Sequence, residues 1–100
     1  MPAYWLAHVT VTDPVAYARY QSLAPAAFAR FGGRFLARGG EADVCEGPAL
    51  DRHVVIEFRT LEAARACYGS PEYQAARQAR DGAAVAHVVI VEGLAQTAAS

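Results

Sequence analysis

Two stretches of this chain, Arg52 to Arg59 (RHVVIEFR) and Ala86 to Glu92 (AHVVIVE), are dense in β-branched residues and read as strands. Both keep apolar side chains on each of their alternating parities, and that constrains the fold most. A strand that is apolar on both sides belongs to a sheet covered on both faces. Tyr4 to Val11 (YWLAHVTV) and Arg34 to Arg38 (RFLAR) behave alike. One parity collects Trp5, Ala7 and Val9 with Val54, Ile56 and Phe58. The other retains Leu6, Leu36, Val55, Val89 and Val91 among His8, His53, Glu57 and His87. Helices can cover the first face. The second calls for another sheet, and a second copy related by a two-fold axis supplies one, enclosing a partly filled cavity.

The helices follow from local signals. Asp13-Pro14 is a capping residue followed by a proline suited to the first turn. From there Tyr17, Tyr20, Leu23, Ala27, Phe28 and Phe31 recur at spacings of three and four. Pro25 lies inside that stripe and predicts a kink or break near Leu23-Ala24, and Gly32-Gly33 ends the helix. The second strand, loosened by Gly39-Gly40, is expected to resume through Val44-Cys45-Glu46. Thr60 caps a second helix to about Tyr68, which Ser70-Pro71-Glu72 restarts. The order is β-α-β-β-α-β, a ferredoxin-like α+β domain with an antiparallel four-stranded sheet and two helices, possible breaks included, on one face. Right-handed crossovers put strand 3 between 1 and 2, and strand 4 beside 1. Residues 1–95 form the single domain and 96–100 a frayed tail.

Composition narrows the function classes. The formal net charge is -1 with 19% charged residues, which gives no electrostatic ground for nucleic acid or an anionic membrane. The 54% hydrophobic content is high for 100 residues and again points to a covered face. Every basic residue is arginine, a pattern of coding bias that leaves room for an anion-gripping guanidinium at one or two positions. Cys45 and Cys67 stand apart with no metal-type spacing, no long apolar run is present, and the expectation is a cytoplasmic protein with both thiols reduced.

The blocks YWLAHVTVTDPVAYARY, APAAFARFGGRFLARGG, VVIEF, YGSPEYQAARQAR and VVIVEG, in this order and spacing, closely resemble a family of short bacterial proteins, the domain-of-unknown-function family numbered thirteen-thirty. The likeness covers residues 4 to about 94, with Arg59 standing where such proteins often carry proline. It implies the dimeric α/β-barrel version of the ferredoxin-like fold and brings no established activity. Larger relatives of that barrel include cofactor-free monooxygenases, lactone isomerases and haem enzymes, an analogy of fold alone.

No phosphate loop, nucleophile elbow or metal-ligand motif is present, so no metal and no cofactor is expected. The candidates come from strand parity. His8 and Glu57 share a face on neighbouring strands and form a candidate acid–base pair, or a plain ion pair. Arg34 and Arg38 share a face on strand 2 and suit a carboxylate, or pair with Glu57 or Asp43. Tyr17 is a phenol that could enter the cavity, and His87 a residue lining it. Arg77 and Arg80 read as exposed charges. The leading expectation is a homodimer whose cavity between sheet faces binds a small, partly apolar organic acid or aromatic. The alternatives are a non-catalytic interaction module and a cofactor-independent acid–base enzyme of isomerase or monooxygenase type.

Overall fold

The computed structural model describes residues 1–95; the expected frayed tail lies outside the described residues. The elements run β1 (Ala3–Val11), α1 (Pro14–Arg30), β2 (Arg34–Arg38), β3 (Arg52–Phe58), α2 (Leu61–Gly69), α3 (Pro71–Ala79) and β4 (Ala84–Glu92). The sheet order is β2-β3-β1-β4 and every neighbouring pair is antiparallel, as right-handed crossovers require.

Each helix starts where its cap lies. Asp13 Oδ1 accepts from the N–H groups of Val15 and Ala16, both at 3.2 Å, and Thr60 Oγ1 accepts from Ala63 N–H at 3.1 Å. Ser70 divides the expected second helix in two. Its extended backbone ends α2, its Oγ accepts from Tyr73 N–H at 3.1 Å to open α3, and its hydroxyl donates to the Cys67 carbonyl at 2.7 Å. Among the described residues there are therefore three helices, not two.

Two local features differ from the reading of the sequence. The break near Leu23-Ala24 is absent, and α1 runs unbroken through Pro25. The proline forfeits one hydrogen bond, leaving the Gln21 carbonyl without its helical donor. Burial of Ala24, Ala27 and Phe28 against the sheet holds the helix on both sides of the gap. Nor does β2 resume at Val44-Cys45-Glu46. Residues 39–51, with glycines at 39, 40 and 47 and Pro48, form an arm without helix or strand, exposed along nearly all its length. Among the described residues no further strand lies beyond the edge strand β2.

The core lies between the helices and one sheet face. Trp5, 1% exposed, is its centre. Its ring meets Phe28 edge-on at 5.0 Å and Tyr73 at 4.8 Å, and stacks with Phe58 at 6.1 Å. Such pairs add about 0.5–1.5 kcal/mol each beyond the area they bury. Cys67 sits in the same core, where burial pushes its thiol up to about 11, while Cys45 is exposed on the arm. Among the described residues no helix covers the other sheet face. The domain is only 17 Å thick along its shortest axis, and its radius of gyration of 14.1 Å exceeds the ~13 Å of a compact chain this long. Leu36, Val85, Val89 and Val91 are each 44–53% exposed on that side.

Candidate functional site

A narrow apolar cleft opens on the helix side of the sheet, beneath α1. Its floor includes Trp5, Ile56 and Val88, its wall Phe28 and Pro25, and its polar lining Tyr17, Tyr20, Gln21, Arg38, Arg52 and Arg80. The free space inside is about 40 Å³, so a bound molecule is small or displaces lining side chains. Among the described residues no carboxylate and no imidazole lines it.

Sheet register brings two of its three guanidinium groups there, and a helix end brings the third. Arg52 stands opposite Val9, on the same parity as Val54, Ile56 and Phe58, and so points to the helix side. Arg38 reaches that side by a different route. The pairing shifts between Phe35 and Ala37, a bulge that sets Ala37 against Val55 and Arg38 against Val54. Arg34 and Arg38 therefore do not share a face, contrary to the alternation of the sequence. The Arg38 Cζ lies 4.4 Å from the Phe35 ring centroid, a cation–π contact. Arg80 follows α3 as its C-cap, and it is half-buried, not the free surface charge its position in the sequence implies. Its Cζ sits 5.0 Å from the Tyr20 ring and its Nη2 is 3.5 Å from the Tyr73 hydroxyl.

Arg52 is the unusual member. Its Nε is buried with no hydrogen-bond partner, and a guanidinium N–H left so carries a desolvation cost of about 1–3 kcal/mol or more. Gly39, with φ +70°, is what lets the guanidinium lie where it does, because a β-carbon there would fall on Arg52 Nη1. The phenols beside it are neutral. Burial raises the Tyr17 hydroxyl above its ordinary value, with Arg52 and Arg80 working against the rise, and burial followed by Tyr73 raises that of Tyr20. The two hydroxyls of Tyr20 and Tyr73 stand 3.1 Å apart. Unfolded tyrosines release their protons near pH 10, whereas the folded chain holds those of Tyr17 and Tyr20 to higher pH. Stability is therefore fully present below that value and declines as pH rises above it. Urea midpoints at pH 8 and 10.5 should show the decline, and Tyr20→Phe should flatten it.

The remaining candidates are on the opposite face and fall into two groups. Arg34 Nη2 donates to Glu57 Oε1 at 2.8 Å, with Tyr4 beside Glu57 across the strand. His8 stands opposite His53 on one side and His87 on the other, its Nδ1 2.8 Å from that of His53. His8 and Glu57 do share a face, but their register positions are four residues apart, roughly 13 Å along the strands. The expected acid–base pair does not meet. Among the described residues no three His, Cys, Asp or Glu side chains are grouped to hold a metal ion, and no helix is long and apolar enough to cross a membrane.

Of the residues singled out in the sequence, Tyr17 and Arg38 reach the cleft. Arg52, Arg80, Tyr20 and Gln21 were not singled out as its lining. Arg52 was legible, since its parity is that of the core residues after it. So was Arg80, which follows Tyr73 and Ala76 at helical spacings of three and four.

The fold has close structural relatives. A protein of unknown function, RPA0582 from Rhodopseudomonas palustris, superposes with a TM-score of 0.74 at 24% identity, over 95% of this chain and 84% of its own. SnoaB, a cofactor-independent oxygenase from Streptomyces nogalater, gives 0.64 at 17% identity, over 99% and 98%. A dimeric protein of unknown function and ferredoxin-like fold from Bacteroides fragilis gives 0.62 at 14%, over 92% and 96%. At these identities the likeness is one of fold. No curated protein matches the sequence. The family profile of the Domain of unknown function (DUF1330) matches residues 2–94, nearly the whole described chain, and the protein belongs to that family.

Proposed function

We propose that this domain binds a small, partly apolar organic acid in the cleft between α1 and the sheet, and that it works as a homodimer of α/β-barrel type joined through the other sheet face. The observation that carries the binding reading is the buried, unpartnered Nε of Arg52 in an apolar cleft whose charged lining, among the described residues, is Arg38, Arg52 and Arg80. Guanidinium N–H and phenol O–H groups are donors, and a carboxylate is the acceptor whose planar geometry fits a guanidinium fork. Trp5, Phe28 and Ile56 favour an apolar body on that acid.

Acid–base catalysis finds less support at this place. Neutral phenols and charged guanidinium groups do not take up protons near neutrality, and the histidines and Glu57 stand on the far face. The dimer is supported by the exposed apolar face, by the thinness of the domain, and by the likeness to the dimeric Bacteroides fragilis protein. Four strands averaging seven to eight residues give a footprint of roughly 500 Å². Side-chain relief and the 39–51 arm bring it toward the ~800 Å² per partner of a standard interface.

Thermal unfolding with a panel of small aliphatic and aromatic carboxylates tests the binding reading. Members of the panel should raise the melting temperature, and their primary amides should not. A ligand at ~100 times its dissociation constant adds ~2.7 kcal/mol. A panel without a single stabilising acid would defeat the proposal.

A further inference from the structure

We propose that the acid taken by the cleft is a 2-oxo acid, with the hydroxyl of Tyr20 donating to the carbonyl beside its carboxylate. The inference rests on the carboxylate-binding reading above and names the class of acid. It follows from the direction in which three side chains pass a hydrogen bond toward the cleft.

Arg80, at the C-cap of α3, places its Nη2 3.5 Å from the Tyr73 hydroxyl. A guanidinium donates and never accepts, so Tyr73 is the acceptor in that contact. Tyr73 is 0% exposed, and bulk water does not take its own proton. The other partner of its hydroxyl among the described residues is the hydroxyl of Tyr20 on α1, 3.1 Å away. A buried hydroxyl donates its proton wherever an acceptor is in reach, so Tyr73 donates and Tyr20 accepts. The chain runs from Arg80 through Tyr73 to Tyr20, and the proton of Tyr20 is left over. Tyr20 lines the cleft, and that proton is available to what enters it. Each donor in such a chain polarises the next. The phenol at its end is therefore a stronger donor than one standing alone.

The cleft thus offers two kinds of donor to one small molecule. The unpartnered Nε of Arg52 suits a carboxylate oxygen, and Tyr20 suits a second, uncharged acceptor. The two are neighbours through Tyr17. Its hydroxyl lies within the field of Arg52, and its ring centroid is 5.3 Å from that of Tyr20. Within about 40 Å³ of free space, the second acceptor belongs on the carbon next to the carboxylate. A carbonyl there accepts and brings no proton of its own. A hydroxyl there brings one, and none of the three guanidinium groups can accept it.

Titration calorimetry of the full chain with carbon-matched pairs of acids is the test. The pairs are 4-methyl-2-oxopentanoate against 4-methylpentanoate, and phenylglyoxylate against phenylacetate, with mandelate as the 2-hydroxy counterpart of the second. In at least one pair the oxo acid should bind about tenfold tighter than its partner, the worth of about one hydrogen bond. Tyr20→Phe should bring that ratio under threefold. The double substitution Tyr20→Phe with Tyr73→Phe serves if the single variant does not fold, because it leaves no orphaned phenol proton in the core. Equal affinity within both pairs overturns the oxo-acid inference while leaving the carboxylate reading intact. Mandelate binding tighter than phenylglyoxylate overturns it too, and so does an undiminished ratio in a folded variant, which places the second donor elsewhere. A protein that binds none of these acids, and none of the wider carboxylate panel, overturns the carboxylate reading and this inference with it.

Discussion

Trp5→Ala is expected to lower the free energy of unfolding by about 3–5 kcal/mol, the usual range for removing a buried tryptophan. In a domain of this size that corresponds to a fall of roughly 15–30 °C in melting temperature. Trp5 is 1% exposed and is in ring contact with Phe28, Phe58, Tyr68 and Tyr73. It thereby joins β1, β3, α1, α2 and α3 in one cluster. The cavity left by alanine cannot collapse without moving several of these elements. A total stability of 5–15 kcal/mol is typical of small domains, so the variant stands near its unfolding threshold at 37 °C. Trp5→Phe keeps an aromatic ring in the cluster and should lose clearly less. Urea unfolding followed by circular dichroism measures both. A loss under 1 kcal/mol for the alanine variant would contradict the placement of Trp5 at the centre of the core.

The strands were legible in the sequence because their alternation is regular wherever both ends of a run are anchored. Parity assigned Trp5, Ile56 and Phe58 to the helix side, and Leu6, Val55 and Val89 to the other. Parity failed at Leu36. A bulge shifts register by one residue and sends Arg38 through to the opposite face, and nothing local in RFLAR announces it. The same limit applied to His8 and Glu57. Alternation says which face a residue takes but not how far along the strand its neighbour's partner lies, and that is set by the pairing of Tyr4 with Glu57. Pro25 misled for a different reason. Its cost is local, while the burial that keeps α1 helical through it comes from packing against the core. The site was legible only in part, because it is made where the C-cap of α3, the start of β3 and the bulged end of β2 converge.

Arg52→Met should weaken binding of a stabilising carboxylate about 10- to 100-fold while leaving the free protein as stable as the wild type or more so. The first expectation follows from the loss of a charge-assisted hydrogen bond, about 1.5–3 kcal/mol. The second follows from the state of Arg52 without a ligand. Its buried Nε has no partner, so removing the guanidinium removes an unmet donor, and the methionine retains much of the apolar stem. A structural arginine would behave in the opposite way, because its loss would break bonds that hold the fold. Titration calorimetry with the best acid from the panel reads the first effect, and urea unfolding of the free protein reads the second. Destabilisation by more than 1 kcal/mol with binding unchanged would assign Arg52 to the fold and not to a ligand. The combination expected here, weaker binding at no loss of stability, is the signature of a residue held in an unfavourable free state for the sake of what it binds.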